Sequence, residues 1–146
     1  MIIYSDTSAL AKRYLEEPGS HVVREYLDDA EYRYTSAFTE LELIAAIEFS
    51  KRLRRINSPE YRTITVRLTA DFHQGLLSLI DINDKILQRA ISMIRVRGLK
   101  APDAIQLATA LALNKRLAHS LHFLCADQPL LTAARKEGLR CRDVSS

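Results

Sequence analysis

The chain opens Met1-Ile2-Ile3-Tyr4-Ser5-Asp6-Thr7-Ser8-Ala9-Leu10. A short, mostly apolar run with β-favouring residues ends at an acid, and its brevity reads as a buried strand over residues 1–5. The period then changes. Ala9, Leu10, Tyr14 and Leu15 recur at helical spacing over residues 7–17, until Pro18-Gly19 stops them. A strand passing into a helix across a single aspartate is the first half of a βα unit. Strands that alternate with helices predict a mostly parallel sheet with helices on both faces.

The alternation continues outward from this opening. Ser20 reads as the cap of a second short helix holding Val22, Val23, Tyr26 and Leu27, and residues 33–37 as a second strand. A long helix starts at Thr39, with Leu41, Leu43, Ile44, Ile47 and Leu53 as its apolar face, and Asn57-Ser58-Pro59 breaks it. A helix over residues 60–74 closes on Gly75, a short strand spans 76–80, and Asn83 caps a helix that reaches Val96. Pro102 sits in the first turn of a helix over 103–118, followed by a strand at 121–126, a helix at 129–137 and a last strand at 139–144. Parallel strands joined by right-handed crossovers place all their carboxyl ends on one edge, where ligands of such sheets bind.

At 146 residues the chain suits one domain, 1–146, with no repeat and no linker-like stretch. Its 47% hydrophobic and 27% charged residues exclude a disordered or collagenous chain. No apolar run approaches the roughly 20 residues of a membrane span, and the first residues lack the pattern of a secretory signal. Cys125 and Cys141 make neither a disulfide framework nor a four-ligand zinc site, so a reducing cytoplasm is the expected location. Net charge is only +3, but it is unevenly spread. Lys51 to Arg67 holds six basic residues against one acid, and Lys85 to Lys100 holds five against none. Such stretches suit either solvated helix faces or a surface for a polyanion.

Four acids come from four separate segments. Asp6 and Asp127 follow strands, Asp103 opens a helix, and Glu42 lies about one turn into another. Aspartate is a favoured helix cap, so capping accounts singly for Asp6, Asp103 and Asp127. It does not account for Glu42, which stands among Leu41, Leu43 and Ile44. Carboxylates converging on one rim repel each other unless a cation joins them. Mg²⁺ or Mn²⁺, which prefer oxygen ligands, would remove that repulsion and could activate water for phosphodiester cleavage. Other chemistries lack their residues: there is no glycine-rich phosphate loop and no Gly-x-Ser-x-Gly elbow, and the four histidines have no ligand spacing.

The residues resemble a known family. Asp6-Thr7-Ser8-Ala9-Leu10 is similar to the opening of PIN domains, in particular of VapC toxins of toxin–antitoxin pairs. Thr39-Glu40-Leu41-Glu42-Leu43, Ala101-Pro102-Asp103-Ala104 through Ala110, and Cys125-Ala126-Asp127-Gln128-Pro129 resemble its further acidic motifs, in the family's order. The resemblance implies a three-layer α/β/α sandwich with a mostly parallel sheet of four to five strands. It implies a metal-dependent endoribonuclease, with Mg²⁺ or Mn²⁺ held by Asp6, Glu42, Asp103 and Asp127. Asp6 and Asp103 would be direct ligands and Asp127 would complete the site. Glu42 would orient or deprotonate the attacking water, or ligate a second metal. It also implies a homodimer and an antitoxin whose C-terminal tail blocks the site. Where the family usually has Ser or Thr, two residues before its fourth acid, this chain has Cys125, so Thr7 or Ser8 becomes the candidate for a supporting hydrogen bond near Asp6. Arg52, Arg54, Arg55, Arg95, Arg97 and Lys100 are candidate contacts to RNA phosphates, which position a strand without reading its sequence.

Two alternatives use the same residues. One is a catalytically inactive RNA-binding module of the same fold. The other is an Asp-dependent phosphotransfer enzyme, although a phosphatase of the haloacid dehalogenase type needs an aspartate two residues after Asp6, where Ser8 stands. Apolar residues between Thr39 and Gln74 (Phe49, Leu53, Ile56, Ile64, Leu68, Phe72) are candidates for either a helical hairpin packing on the core or a groove for a partner helix.

Overall fold

The opening strand lies at the centre of the sheet, as its apolar character requires. The computed structural model describes residues 1–146. Its elements are β1 (Ile2–Ser5), α1 (Thr7–Tyr14), α2 (Ser20–Asp29), β2 (Tyr32–Ser36), α3 (Ala37–Arg52), α4 (Ser58–His73), β3 (Ser78–Ile80), α5 (Asp84–Arg97), α6 (Ala101–Arg116), β4 (Leu121–Cys125), α7 (Gln128–Lys136) and β5 (Arg140–Asp143). The five strands run in the order β3-β2-β1-β4-β5 and every pair is parallel.

Neighbouring residues of a strand point to opposite faces, and β1 uses both. Ile3 enters a core built with Leu10, Val23, Leu43, Ile47 and Leu68 from α1 to α4. Tyr4 enters a second core built with Ile86, Met93, Leu107, Leu113 and Leu130 from α5 to α7. On β4, Leu124 goes to the first core and Phe123 to the second, where its ring stacks on Tyr4 at 5.8 Å. Burial of each such side chain contributes about 1.5–3 kcal/mol, so the sheet is clamped from both sides. The result is a three-layer α/β/α sandwich whose sheet is wholly rather than mostly parallel.

Element bounds differ from expectation where side chains intervene. α1 stops at Tyr14 rather than residue 17. Beyond it the Ser20 hydroxyl takes the Glu17 N–H, and the buried Lys12 ammonium binds Glu17 and the Pro18 carbonyl. Ser20 therefore does not cap α2. Gly19 takes that position at φ 88°, and a Cβ there would meet the Val144 carbonyl oxygen at 2.1 Å. Only glycine admits this close approach of the C-terminal tail. β3 is limited to three residues because the Leu77 N–H returns to the Asp71 carbonyl and its side chain joins the helical core. No helix is long and apolar enough to cross a membrane.

One arrangement positions the site. β1 leads through Asp6 into α1, β2 through Ser36 into α3, and β4 through Asp127 into α7. Because the strands are parallel, these three junctions share the carboxyl edge of the sheet.

Candidate active site

Asp6 caps α1 and is also buried, at 3% exposure. Its Oδ1 accepts the Ala9 N–H at 2.9 Å, and the Ser8 hydroxyl lies 2.8 Å from both carboxylate oxygens. The Cys125 thiol donates to Oδ2 at 3.3 Å. These donors are all neutral. They favour the charged form, yet burial outweighs them and raises the Asp6 carboxyl to about 6. Of the two candidates for the supporting bond, Ser8 serves Asp6, and its oxygen also accepts the Ala126 N–H. The thiol at the usual Ser/Thr position still reaches Asp6. Burial and the neighbouring Asp6 push that thiol well above its ordinary range, so it stays protonated.

Thr7 turns instead to Glu42, donating to Oε1 at 2.6 Å. Gln106 Nε2 lies 3.1 Å from the same oxygen. Of the apolar neighbours expected around Glu42, only Leu43 is buried, in the core; Leu41 is 64% exposed and Ile44 44% exposed. Polar bonds from α1 and α6, not burial among leucines, hold this side chain. Sequence reading missed Gln106. The available signal was a polar residue in an apolar helix, one turn after Asp103 and hence on the same face.

Asp127 behaves as a cap, its Oδ1 accepting the Leu130 N–H at 2.9 Å. It leaves β4 beside Asp6, because Ser5 and Leu124 are register partners. Asp103 does not cap. Lys100 holds the cap position of α6, and Asp103 sits inside the first turn. Its carboxyl is shifted upward, first by partial burial and then by the charges of Asp127 and Glu42, with only Lys100 opposing. Asp103 thus lies near enough to Asp127 and Glu42 to feel their charges, and Asp6 and Asp127 leave neighbouring strands at the same edge.

The basic candidates divide. Arg52 ends α3, ten residues beyond Glu42, or about 15 Å along a helix. Arg54 follows it in the turn, and Arg55 lies over the Phe49 ring, lining a cavity of about 780 Å³ that contains none of the four acids. Arg97 is paired with Glu137. Arg95 and Lys100 form no ion pair, and Lys100 is near enough to influence Asp103.

As the side chains stand, no three His, Cys, Asp or Glu residues are arranged to hold one metal ion. The donor chemistry fits a hard divalent cation, since four carboxylates offer only oxygen and the repulsion felt by Asp103 is what such a cation relieves. Phosphotransfer through Asp6 fits poorly, because its buried carboxylate has both oxygens engaged by protein donors.

The family model described as "PIN domain" matches residues 3–121. No curated protein matches the chain. Among solved structures, the fold is similar to FitAcB from Neisseria gonorrhoeae, with 19% identity over 99% of both chains and a TM-score of 0.66. It is similar to VapBC2 from Rickettsia felis bound to a DNA fragment from their promoter, with 15% identity over 98% of both chains and a TM-score of 0.64. A toxin–antitoxin complex from Klebsiella pneumoniae matches at 20% identity over 87% of both chains, with a TM-score of 0.56. At these identities the likeness is one of fold.

Proposed function

The chain belongs to the PIN-domain family, and from that premise we propose that it is a metal-dependent endoribonuclease, the toxin of a toxin–antitoxin pair. One observation carries the reading. Acids from four segments stand toward the carboxyl edge, and the carboxyl of Asp103 is raised by partial burial and then by Asp127 and Glu42, with Lys100 the one opposing charge. A binding module gains nothing from repelling phosphate at its own rim.

In this reading Asp6, Asp103, Asp127 and Glu42 hold Mg²⁺ or Mn²⁺, which when bound activates water and stabilises the leaving oxygen. Ser8, the Ala9 N–H and Cys125 hold Asp6 in place, and Thr7 with Gln106 holds Glu42. Lys100, near Asp103, is the better-placed contact for the RNA backbone, and Arg95 is unpaired, while Arg97 is already paired and Arg52, Arg54 and Arg55 lie along or beyond the far end of α3. The partner protein is an antitoxin, by analogy with the toxin–antitoxin complex of similar fold. Leu41, Ile44, Phe49, Leu53 and Val66 expose apolar surface on α3, α4 and the turn between them, which suits a partner helix. Ile64, Leu68 and Phe72 are buried in the core and are not part of it. A cytoplasmic homodimer completes the reading.

The test is cleavage of RNA by the purified protein with Mg²⁺ or Mn²⁺, abolished by EDTA and by Asp6→Asn. Cleavage by Asp6→Asn equal to wild type overturns the assignment. RNA binding without cleavage under any of these metals favours the inactive module.

A further inference from the structure

Behind the acid rim lies a polar network in an otherwise apolar core. Gln106 is 2% exposed and Tyr4 is fully buried, as are Thr35 and Thr39. Tyr4 OH donates to Gln106 Oε1 at 2.6 Å. On the other side of the amide, Gln106 Nε2 lies 2.9 Å from Thr39 Oγ1, 3.0 Å from Thr7 Oγ1 and 3.1 Å from Glu42 Oε1. Thr35 Oγ1 is 2.7 Å from Thr39 Oγ1 and 2.8 Å from the Ser5 carbonyl.

Proton counting gives this network a direction. The Ser5 carbonyl can only accept, so Thr35 donates to it and Thr39 donates to Thr35. Thr7 spends its proton on Glu42, so its oxygen accepts from Gln106. The amide then has two N–H groups for three acceptors, Thr39, Thr7 and Glu42, so one N–H is shared. The opposite amide orientation would set a carbonyl against the Glu42 carboxylate and the Thr7 oxygen, which can only accept here. These two acceptors select the amide orientation, Tyr4 locks it by donating to Oε1, and the locked amide holds Glu42 Oε1. Both bonds to Glu42 fall on Oε1, which leaves Oε2 without a protein donor.

We propose that Gln106, anchored by Tyr4, is a positioning residue that fixes Glu42 with one carboxylate oxygen committed to the protein and the other presented to the acid rim. The proposal rests on the nuclease reading for its consequence, though not for its geometry. Supporting groups of this kind, when removed, typically lower activity or metal affinity by about 10- to 100-fold.

The experiment compares wild type, Tyr4→Phe, Gln106→Leu and the double variant, with thermal unfolding used to choose a temperature at which each is folded. Tyr4→Phe keeps the ring and its stack on Phe123, so it serves where Gln106→Leu folds poorly. RNA cleavage with Mn²⁺ is expected to show kcat reduced about 10- to 100-fold in each single variant, with KM for RNA within about two-fold. The double variant should be no worse than Gln106→Leu, because Tyr4 acts through the amide. Unchanged kcat in folded Tyr4→Phe, or independent losses that multiply in the double variant, overturns the proposal. Crystal structures of the same variants give a readout that does not depend on activity. Glu42 should leave Thr7 in Gln106→Leu, and a carboxylate that stays in place overturns the proposal even if no RNA is cleaved. Wild type failing to cleave while Glu42 moves as expected would refute the nuclease reading and leave the positioning role standing.

Discussion

Two carboxylates of this protein are buried, Asp6 and Asp71, and they are served in opposite ways. Asp71 on α4 meets Arg13 on α1 through two bonds, at 2.6 and 3.1 Å, and accepts a third from Tyr14 at 2.8 Å. The pair raises the Arg13 guanidinium further, chiefly through the bond to Asp71. Asp6 meets a backbone N–H, a hydroxyl and a thiol, all neutral. A buried charge matched by an arginine is complete within the chain and ties two helices together. A buried charge given only neutral donors has no countercharge within the chain, and burial raises its carboxyl to about 6. The first arrangement is a structural tie; the second is where the proposed cation would bind.

The largest effect should fall on activity. Asp6→Asn is expected to reduce RNA cleavage by about a thousand-fold or more, since metal-ion catalysis supplies several kcal/mol to the transition state. Removal of metal with EDTA should do the same, and Asp71→Asn should leave cleavage at wild-type levels at temperatures where it is folded. Equal losses in the two variants would break the distinction.

Stability should move the other way. Asp71→Asn leaves the Arg13 charge without its partner, and urea unfolding should show a loss of about 3 kcal/mol. Asp6→Asn should hold or gain stability in metal-free buffer. A carboxyl raised from 3.8 to about 6 on folding holds its proton more tightly in the folded state, so wild-type stability falls as pH rises through that interval. The fall is at most about 3 kcal/mol. Unfolding curves at pH 4 and pH 7 without metal should show this decline in wild type and a smaller one in Asp6→Asn, where the raised Asp103 carboxyl still contributes.

Smaller effects refine the account of Asp6. Ser8→Ala removes a donor from Asp6 and an acceptor from the Ala126 N–H, with an expected cost of about 1–3 kcal/mol in unfolding. Cys125→Ser keeps a donor toward Asp6 and should change stability by less than about 1 kcal/mol and cleavage by only a few-fold. In wild type the buried Cys125 thiol, held protonated, should resist alkylation at neutral pH while the protein is folded.

Much of the fold could be read locally. The change from an apolar run to helical spacing at Asp6 identified β1 and α1, and Asn83 with Gly98 bounded α5 within a residue. Caps and periodicity act over three or four residues, so the sequence displays them directly. The misjudged positions involve partners far along the chain. Ser20 looked like a cap because nothing local announces that Gly19 must make room for Val144. Asp103 looked like a cap because a helix opens there, but the helix begins at Ala101 and frees its carboxylate. Glu42 stood among apolar Leu41, Leu43 and Ile44, of which only Leu43 enters the core while Leu41 and Ile44 face solvent.

The sequence alone determined that strands alternate with helices, and therefore that acids standing at strand ends share the carboxyl edge of a parallel sheet. That follows from backbone geometry, which repeats every two or 3.6 residues and needs no knowledge of distant neighbours. The tertiary structure decided which charges are matched. It gave Asp71 an arginine 58 residues away, gave Asp6 a thiol 119 residues away, and brought Gln106 to Glu42 across 64 residues. Hydrogen bonds and ion pairs hold only within a few ångströms, so whether a carboxylate is a structural tie or part of a site is settled by what the folded chain places beside it.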